Sequence, residues 1–166
     1  MRERDWAPAR RPSGVFVDRP RLGARAVEGL GRTLISGDLE AAVAALAKGA
    51  PMLGLYAHAP ERPHALWIAR DRALLLTPAP LGAADGWRDG FCATPVDDGW
   101  ATVEVTGPDA PLALMQGTSA DFDGGSPSAA VLFGGLRCLL ARTEAGFRLH
   151  VEAPWLEALM TWLDGA

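Results

Sequence analysis

Cysteine is scarce in this sequence, which has only Cys92 and Cys138 among 166 residues. Small disulfide-bonded domains are rich in cysteine, and structural zinc sites need about four closely spaced cysteine or histidine ligands. The three histidines, His58, His64 and His150, are dispersed along the chain. The sequence therefore predicts two packed thiols, no disulfide scaffold and no metal site.

Long apolar runs are also missing, since no stretch approaches the roughly 20 residues that cross a membrane. The first residues, Met-Arg-Glu-Arg-Asp-Trp-Ala-Pro, lack the apolar stretch of a secretory signal. Apolar residues nevertheless make up 49% of the chain and include six tryptophans, which is enough for a core without covalent cross-links. We expect a soluble, cytoplasmic protein that has no membrane partner.

Basic residues are concentrated at the start of the chain. Residues 1–32 contain eight of the 16 basic residues and four acidic ones, whereas the remaining 134 residues contain eight basic and 16 acidic ones. The acidic main part disfavours nucleic acid as a partner. The basic arginines Arg10, Arg11, Arg19, Arg21 and Arg25 either bind an anion or an acidic partner surface, or belong to a solvated leader.

A strand, a glycine turn and a short helix occur twice in the sequence, 70 residues apart. The first copy reads Arg-Thr-Leu-Ile-Ser-Gly-Asp at residues 32–38, and the second reads Ala-Thr-Val-Glu-Val-Thr-Gly-Pro-Asp at residues 101–109. The alignment places Gly37 on Gly107 and Asp38 on Pro108. Thr106 and Asp109 have the spacing of a capping box, which marks a helix start.

Two apolar segments follow each copy and predict a hairpin, over 65–69 and 73–77 in the first copy and over 136–142 and 147–151 in the second. The sequence thus predicts an α+β fold of duplicated β-α-β-β modules with a mainly antiparallel sheet. The modules span about residues 22–90 and 91–166, within a single domain over 22–166. Residues 1–21 contain three prolines and predict an extended N-terminal arm.

Shorter elements complete the expected order. We expect a short helix over 22–30, a helical turn near 81–87 and a strand over 93–96. An amphipathic helix begins near Pro154 and ends the sequence. The residues expected in the shared core are Ile35, Leu39, Val43, Leu46, Leu66, Ile68, Leu74, Leu76, Val103, Val105, Leu112, Met115, Leu139, Phe147, Leu149, Leu159 and Leu163.

Motifs for catalysis are absent or incomplete. Gly29 and Gly31 begin a dinucleotide fingerprint, but Leu34 stands where its third glycine belongs, and no strand is predicted before it. The phosphate-binding loop and the Gly-x-Ser-x-Gly nucleophile motif do not occur. Asp97 and Asp98 precede a glycine and are typical of a hairpin turn. We predict no catalytic residue, while the residues of any cofactor site stay open.

Partner binding is the better explanation for several aromatic and basic side chains. Trp67, Trp100 and Trp162 lie in periodic apolar segments and are expected in the core, whereas Trp6 and Trp87 are candidates for a surface. The residues predicted to form an interface are Val15, Phe16, Val17, Arg19, Arg21 and Trp155. The three apolar residues of the first group, 15–17, also predict an edge strand.

Several motifs resemble the gamma subunit family of heterotetrameric sarcosine oxidase. The run Gly-Trp at 99–100, Thr-Gly-Pro-Asp-Ala at 106–110 and Gln-Gly-Thr-Ser-Ala-Asp-Phe at 116–122 are similar to that family's strand, turn and helix end. Ala-Leu-Trp-Ile-Ala-Arg-Asp-Arg-Ala-Leu-Leu at 65–75 and Ile-Ser-Gly-Asp at 35–38 resemble its upstream motifs. Phe-Arg-Leu-His-Val at 147–151 and the segment 155–163 are similar to its end. The resemblance covers about residues 22–165.

The resemblance implies the fold of the wider aminomethyltransferase-like, folate-binding superfamily. It also implies a non-catalytic subunit of a flavoenzyme complex that oxidatively demethylates sarcosine or a related N-methyl amine. FAD, FMN, NAD and tetrahydrofolate are then expected in larger alpha and beta subunits, with no cofactor in this chain. The alternative is a stand-alone folate-binding domain with a pterin between the modules.

Overall fold

The described residues form two six-stranded sheets and three α-helices. A computed structural model describes residues 14–55, 57–61, 63–82, 86–121 and 125–166. In chain order the strands are β1 (Gly14–Arg19), β2 (Leu22–Val27), β3 (Gly31–Gly37), β4 (Met52–Leu53), β5 (His64–Ala69), β6 (Arg72–Thr77), β7 (Gly86–Arg88), β8 (Phe91–Pro95), β9 (Trp100–Thr106), β10 (Ala130–Phe133), β11 (Leu136–Thr143) and β12 (Gly146–Glu152). The helices are α1 (Leu39–Leu46), α2 (Ala110–Gly117) and α3 (Leu156–Gly165), and a single 3-10 turn, Ala153–Trp155, precedes α3.

The helices cover the outer faces of the two sheets. Sheet 1 has the order β1-β2-β9-β12-β11-β10 and sheet 2 has the order β4-β5-β6-β3-β8-β7. Neighbouring strands are antiparallel, apart from the short parallel pair β4 and β5. Alternate residues of β9 show the layering, because Val103 and Val105 pack with α2 and α3 while Thr102 and Glu104 point to the opposite face. The α+β class with mainly antiparallel sheets is therefore confirmed.

The two sheets repeat the same strand plan, as the sequence predicts. Read in reverse, sheet 2 has the order β7-β8-β3-β6-β5-β4, which corresponds strand by strand to sheet 1. The helices α1 and α2 follow the equivalent strands β3 and β9. The predicted hairpins are also equivalent, because β5 pairs with β6 and β11 pairs with β12. The duplication is confirmed at the level of topology.

An exchange of hairpins joins the two halves and was not predicted. The hairpin β1–β2 comes before β3 in the chain but pairs with β9 in sheet 1. Conversely, β7–β8 comes directly before β9 but pairs with β3 in sheet 2. The predicted boundary between residues 90 and 91 therefore falls at the turn of the β7–β8 hairpin. The structural repeats run from β1 to β6 and from β7 to β12.

The proposed arm over residues 1–21 also differs from the structure. β1 is an edge strand of sheet 1, as 15–17 predict, and its Val17 is 2% exposed in the core. Pro20, which suggested irregular chain, lies in the turn between β1 and β2. Residues 1–13, including Trp6, Arg10 and Arg11, lie outside the described residues.

Two expected helical segments are extended. The segment expected as a helix over 22–30 contains β2, and the turn expected near 81–87 ends at the first residues of β7. Both strands belong to the exchanged hairpins, whose cross-strand partners override local propensity. The strand expected over 93–96 and the final helix are confirmed as β8 and α3.

Helix α2 corrects the expected core. Leu112 and Met115 were expected inside but are 59% and 60% exposed. The helix buries Ala110, Ala113 and Leu114 against sheet 1 instead. Because a helix face repeats every three to four residues, burial of Ala110 and Ala113 turns Leu112 and Met115 outward.

Gly37 and Gly107 hold the exchanged hairpins in place. Both have φ +99°, and in each the added Cβ of another residue would lie 2.5 Å from a hairpin carbonyl oxygen, that of Gly90 or Arg21. The next free amide donates to the same oxygen, from Asp38 to Gly90 at 2.9 Å and from Asp109 to Arg21 at 3.1 Å. Pro108 has no amide hydrogen, so the structural equivalent of Asp38 is Asp109, one residue later than the sequence alignment gave.

We predict that Gly37→Ala and Gly107→Ala each lower the free energy of unfolding by about 2 kcal/mol or more. The left-handed backbone conformation alone costs about 1 kcal/mol in a non-glycine residue, and the close carbonyl adds a steric cost. Gly49→Ala is the matched control, because Gly49 has φ +82° but nothing within 4 Å of an added Cβ. Urea denaturation of the three variants measures the difference. Equal losses in all three would contradict the role of the two close contacts.

Candidate functional site

The described residues contain no assembled catalytic or metal site. No group of three or more histidine, cysteine or acidic residues among them is placed to hold a metal ion. In the same part of the chain, no helix is long and apolar enough to cross a membrane. Cys138 is buried, and burial raises the pKa of its thiol to about 12, so it is not a ready nucleophile.

A buried polar chain lies on the faces that the two sheets turn toward each other. The Arg32 guanidinium donates to Thr102 Oγ1 at 3.0 Å, and Thr102 Oγ1 is 2.9 Å from His150 Nδ1. Arg32 also donates to the carbonyl oxygens of Leu30, Asp97 and Val27 at 3.1 to 3.4 Å. These contacts use the guanidinium to bridge β3 and β9, which belong to different sheets.

His150 is held in its neutral form. Burial lowers its pKa well below the ordinary 6.5, and the positive charges of His64, Arg32 and Arg148 act in the same direction. A neutral imidazole inside the protein is a general-base candidate only where substrate can reach it. His150 is 0% exposed, so its role in this structure is to link sheet 1 to Thr102.

Glu104 is the centre of a second buried polar cluster. Its carboxylate accepts from Arg25 Nε at 2.7 Å and from Arg148 Nε at 3.0 Å, and Arg148 also reaches Glu61 at 3.2 Å. Burial would raise the Glu104 pKa, but the hydrogen bonds and charges of Arg25 and Arg148 outweigh it, and the pKa lies below its ordinary value. The cluster ties β2, β9 and β12 together on one face of sheet 1.

The predicted interface residues divide between the two ends of sheet 1. Val15 is 64% exposed and Trp155 is 51% exposed, whereas Val17 is buried and Phe16 packs partly against the core. Burial of Val17 contradicts its assignment to a partner surface. The alternation of a strand explains it, since Val17 points toward the helices.

Arg19 and Arg21 make contacts within the chain. Arg19 binds the end of α3 through the carbonyl oxygens of Asp164 and of Ala166, the latter at 2.6 Å. Arg21 forms two hydrogen bonds to the Asp109 carboxylate, at 2.8 and 2.7 Å. The Arg21 hydrogen bond lowers the pKa of Asp109. Asp109 therefore makes no side-chain capping bond, in contrast to the expected capping box, whereas Asp38 caps α1 by accepting from the Ala41 amide.

The outward face of α2 is an apolar surface that the sequence analysis missed. We call Leu112, Met115 and Gln116 the α2 surface. A hollow of about 320 Å³ adjoins it, bordered by Arg19 and Arg21 and by Leu112 and Gln116. Two of the predicted interface residues thus lie beside it. The signal was present in the sequence, because the small residues Ala110 and Ala113 occupy one helix face and the large ones the other.

A larger groove lies at the opposite end of sheet 1. Its volume is about 1340 Å³, and it runs between the ends of β2 and β9 and the first turns of α3. Apolar walls come from Phe16, Trp100, Leu156 and Met160. The carboxylates that line it are those of Glu28, Asp98, Glu157 and Asp164, and the one cation is Arg32, which is 6% exposed. We call this the acidic groove.

The tryptophans expected in the core lie at its margins. Trp67 is 36% exposed, and Trp100 and Trp162 are half-buried. Trp162 packs edge-on against Phe133, with the ring centres 4.6 Å apart. Trp87 is 67% exposed, as expected for a surface residue.

Comparison with solved structures shows the same fold in another protein. A chain in the structure of heterotetrameric sarcosine oxidase from Corynebacterium sp. U-96, in complex with pyrrole 2-carboxylate, is similar with a TM-score of 0.72. This chain has that fold. The match covers 90% of this chain and 85% of that chain at 20% sequence identity, so the two chains are of comparable length. The fold expected from the resemblance is therefore confirmed.

Sequence comparisons add no closer relationship. No protein-family model and no curated protein matches the chain.

We predict that stability falls as the pH drops below about 6.5 because of His150. Its folded pKa lies well below 6.5, so the unfolded state binds more protons as the pH falls from 6.5 toward the folded value. The stabilisation is complete above 6.5 and is lost below it. His150→Gln should reduce the slope of unfolding free energy against pH, while the exposed His58→Gln should leave it unchanged. An unchanged slope in His150→Gln contradicts this explanation.

Glu104→Gln is expected to lower the free energy of unfolding by about 3 kcal/mol at neutral pH, because it leaves Arg148 buried without its ionic partner. The folded pKa of Glu104 is below 4.5, so its contribution is complete above that pH and is lost as the pH falls through the folded value. The variant should therefore lose less of its remaining stability on acidification below 4.5 than the unchanged protein. Glu144→Gln, on the exposed turn after β11, is the control. Urea denaturation over this pH range measures both effects.

Proposed function

We propose that this chain is a non-catalytic, gamma-type subunit of a sarcosine-oxidase-like flavoenzyme complex. The observation that carries the proposal is the fold match to a sarcosine oxidase chain over nearly the full length of both chains. The comparable length favours the smallest subunit type, to which the sequence motifs at 99–122 and 147–163 are also similar. The reaction of the complex would be the oxidative demethylation of sarcosine or a related N-methyl amine, in the cytoplasm.

The chemistry of the described residues supports a non-catalytic role. The buried ionisable groups Arg32, Glu104 and Arg148 serve contacts between strands, and His150 is 0% exposed. A catalytic acid or base has to touch its substrate, which these positions do not allow. We propose that FAD, FMN, NAD and tetrahydrofolate are held by larger alpha and beta subunits.

Comparison of the two repeats favours the α2 surface as the place where a partner binds. The equivalent positions on α1, counted from the two N-caps Asp38 and Asp109, are Ala41 for Leu112 and Ala44 for Met115. One copy of the helix thus has small residues where the other exposes two large apolar side chains. Core packing does not explain the large residues, because both point away from the sheet. A partner surface would bury them.

We predict that the double variant Leu112→Ala/Met115→Ala folds normally but binds large flavin-bearing subunits more weakly. The change makes α2 resemble α1, and alanine favours helix. Loss of two apolar anchors should weaken association by about 2 kcal/mol or more, which is roughly 30-fold in Kd. Leu132→Ala is the matched control, since Leu132 is 62% exposed on β10 but faces away from α2. Co-purification of the chain with the products of its genomic neighbours, followed by titration of the separated subunits, provides the measurement.

Trp155→Ala tests the other end of sheet 1. The Trp155 side chain is 51% exposed, so its truncation should leave the fold intact and weaken the same association. Trp155→Phe, which keeps an aromatic ring, should have a smaller effect. Deletion of residues 1–21 is not a clean test, because it removes β1 and the buried Val17.

We also predict that the purified chain binds neither flavin nor nicotinamide, since its glycine turns do not form a phosphate-binding loop at a helix start. Absorbance above about 400 nm, or a nucleotide released on denaturation in a one-to-one ratio, contradicts this prediction. Expression beside the neighbouring reading frames is the decisive experiment for the proposed function. If the chain then elutes alone as a monomer and binds tetrahydrofolate, the stand-alone folate-binding domain becomes the better proposal.

A further inference from the structure

The acidic groove has an imbalance of charge that the described residues do not neutralise. Four carboxylates line it against one guanidinium, that of Arg32. Arg32 already donates to Thr102 and to backbone carbonyl oxygens. Within the described part of the chain, the carboxylates of Glu28 and Glu157 enter no hydrogen bond or ion pair. An occupant of the groove should therefore be basic.

The walls of the groove also require an apolar contribution from its occupant. Phe16, Leu156 and Met160 line it beside the indole of Trp100. Aromatic side chains combine well with such walls, and arginine stacks on aromatic rings as well as pairing with carboxylates. The expected occupant is an extended segment that carries several arginines and at least one aromatic residue.

The first 13 residues of the chain have this composition. They contain Arg2, Arg4, Arg10 and Arg11 against Glu3 and Asp5, and their one aromatic residue is Trp6. The rest of the chain is acidic, with 16 acidic and eight basic residues after position 32. Charge complementarity thus relates this one segment to this one groove.

The start of the described chain lies at the groove. Gly14 is the first residue of β1, and Phe16, two residues later, lines the groove. Thirteen residues in extended form span roughly 43 to 47 Å. The part of α3 that lines the groove, from Leu156 to Asp164, is only about 12 Å long at 1.5 Å per residue. The segment therefore reaches every part of the groove, and its covalent attachment gives it a high effective concentration there.

We propose that residues 1–13 bind in the acidic groove of their own chain. Trp6 covers the apolar walls, and the arginines pair with Glu28 and Glu157. The groove is then filled in the isolated chain, and the basic segment serves this site in the same molecule. This proposal does not depend on the proposed function, because it concerns the isolated chain.

Limited proteolysis of the full-length chain tests the proposal. Trypsin cleaves after Arg10 and Arg11 only when the segment leaves the groove, so the cleavage rate, followed by mass spectrometry, reports occupancy. We expect Glu28→Gln/Glu157→Gln to increase this rate about fivefold, because two ion pairs are lost without creating a new trypsin site. Trp6→Ala should increase it roughly tenfold or more, and added salt should increase the rate in the unchanged protein. The matched control is Glu40→Gln/Glu144→Gln, which removes two exposed carboxylates outside the groove.

The same measurement separates the other occupants. Equal cleavage rates in the groove variant and the control variant overturn the proposal. Protection that grows with protein concentration overturns it in favour of the segment of a second copy. Rapid cleavage in the isolated chain, with protection only in a complex with large subunits, overturns it in favour of a partner. Concentration-independent protection that is lost in the groove variant and in Trp6→Ala supports it.

Discussion

Each sheet of this protein depends on a hairpin supplied by the other half of the chain. β1–β2 completes sheet 1 beside β9, and β7–β8 completes sheet 2 beside β3. Because each hairpin lies next to the central strand that precedes a helix, neither half can form its full sheet alone. Gly37 and Gly107 make the exchange possible, since any side chain there would meet the backbone of the incoming hairpin. The two repeats are consequently one folding unit, despite their separate ancestry in the sequence.

The same exchange explains where the polar chemistry of the chain is used. Strands from distant parts of the sequence meet between the sheets, where Arg32 of β3 bonds to Thr102 of β9 and Glu104 bonds to Arg25 of the exchanged β2. Buried charges of this kind have to be paired, and breaking one partner away costs more than forming the pair contributes. The residues that might otherwise suggest catalysis are thus occupied in holding β2, β3, β9 and β12 in register.

The sequence was sufficient for the local features of this fold and insufficient for the non-local ones. The glycine turns, the helix over 39–46 and the hairpins β5–β6 and β11–β12 depend on residues close together in sequence, so periodicity and turn residues predicted them. The exchanged hairpins depend on pairing with strands about 80 residues away, as Arg25 with Glu104 shows. Local propensity at 22–30 carries no information about such a partner. The α2 surface was missed for a related reason, because the phase of a short helix follows from the sheet beneath it.

The difference between the two copies is the most informative property of the structure for function. A duplicated fold begins with two equivalent surfaces, and both α1 and α2 still bury the same positions against their sheets. On their outer faces, α1 has Ala41 and Ala44, whereas α2 has Leu112 and Met115. The turn that precedes α2 has also changed, because Asp109 binds Arg21 where Asp38 caps its own helix. The second copy thus differs from the first on its outer surface more than in its core. A chain whose described residues use their polar groups for folding, and whose helices differ on the outside, is better suited to binding a partner than to catalysis.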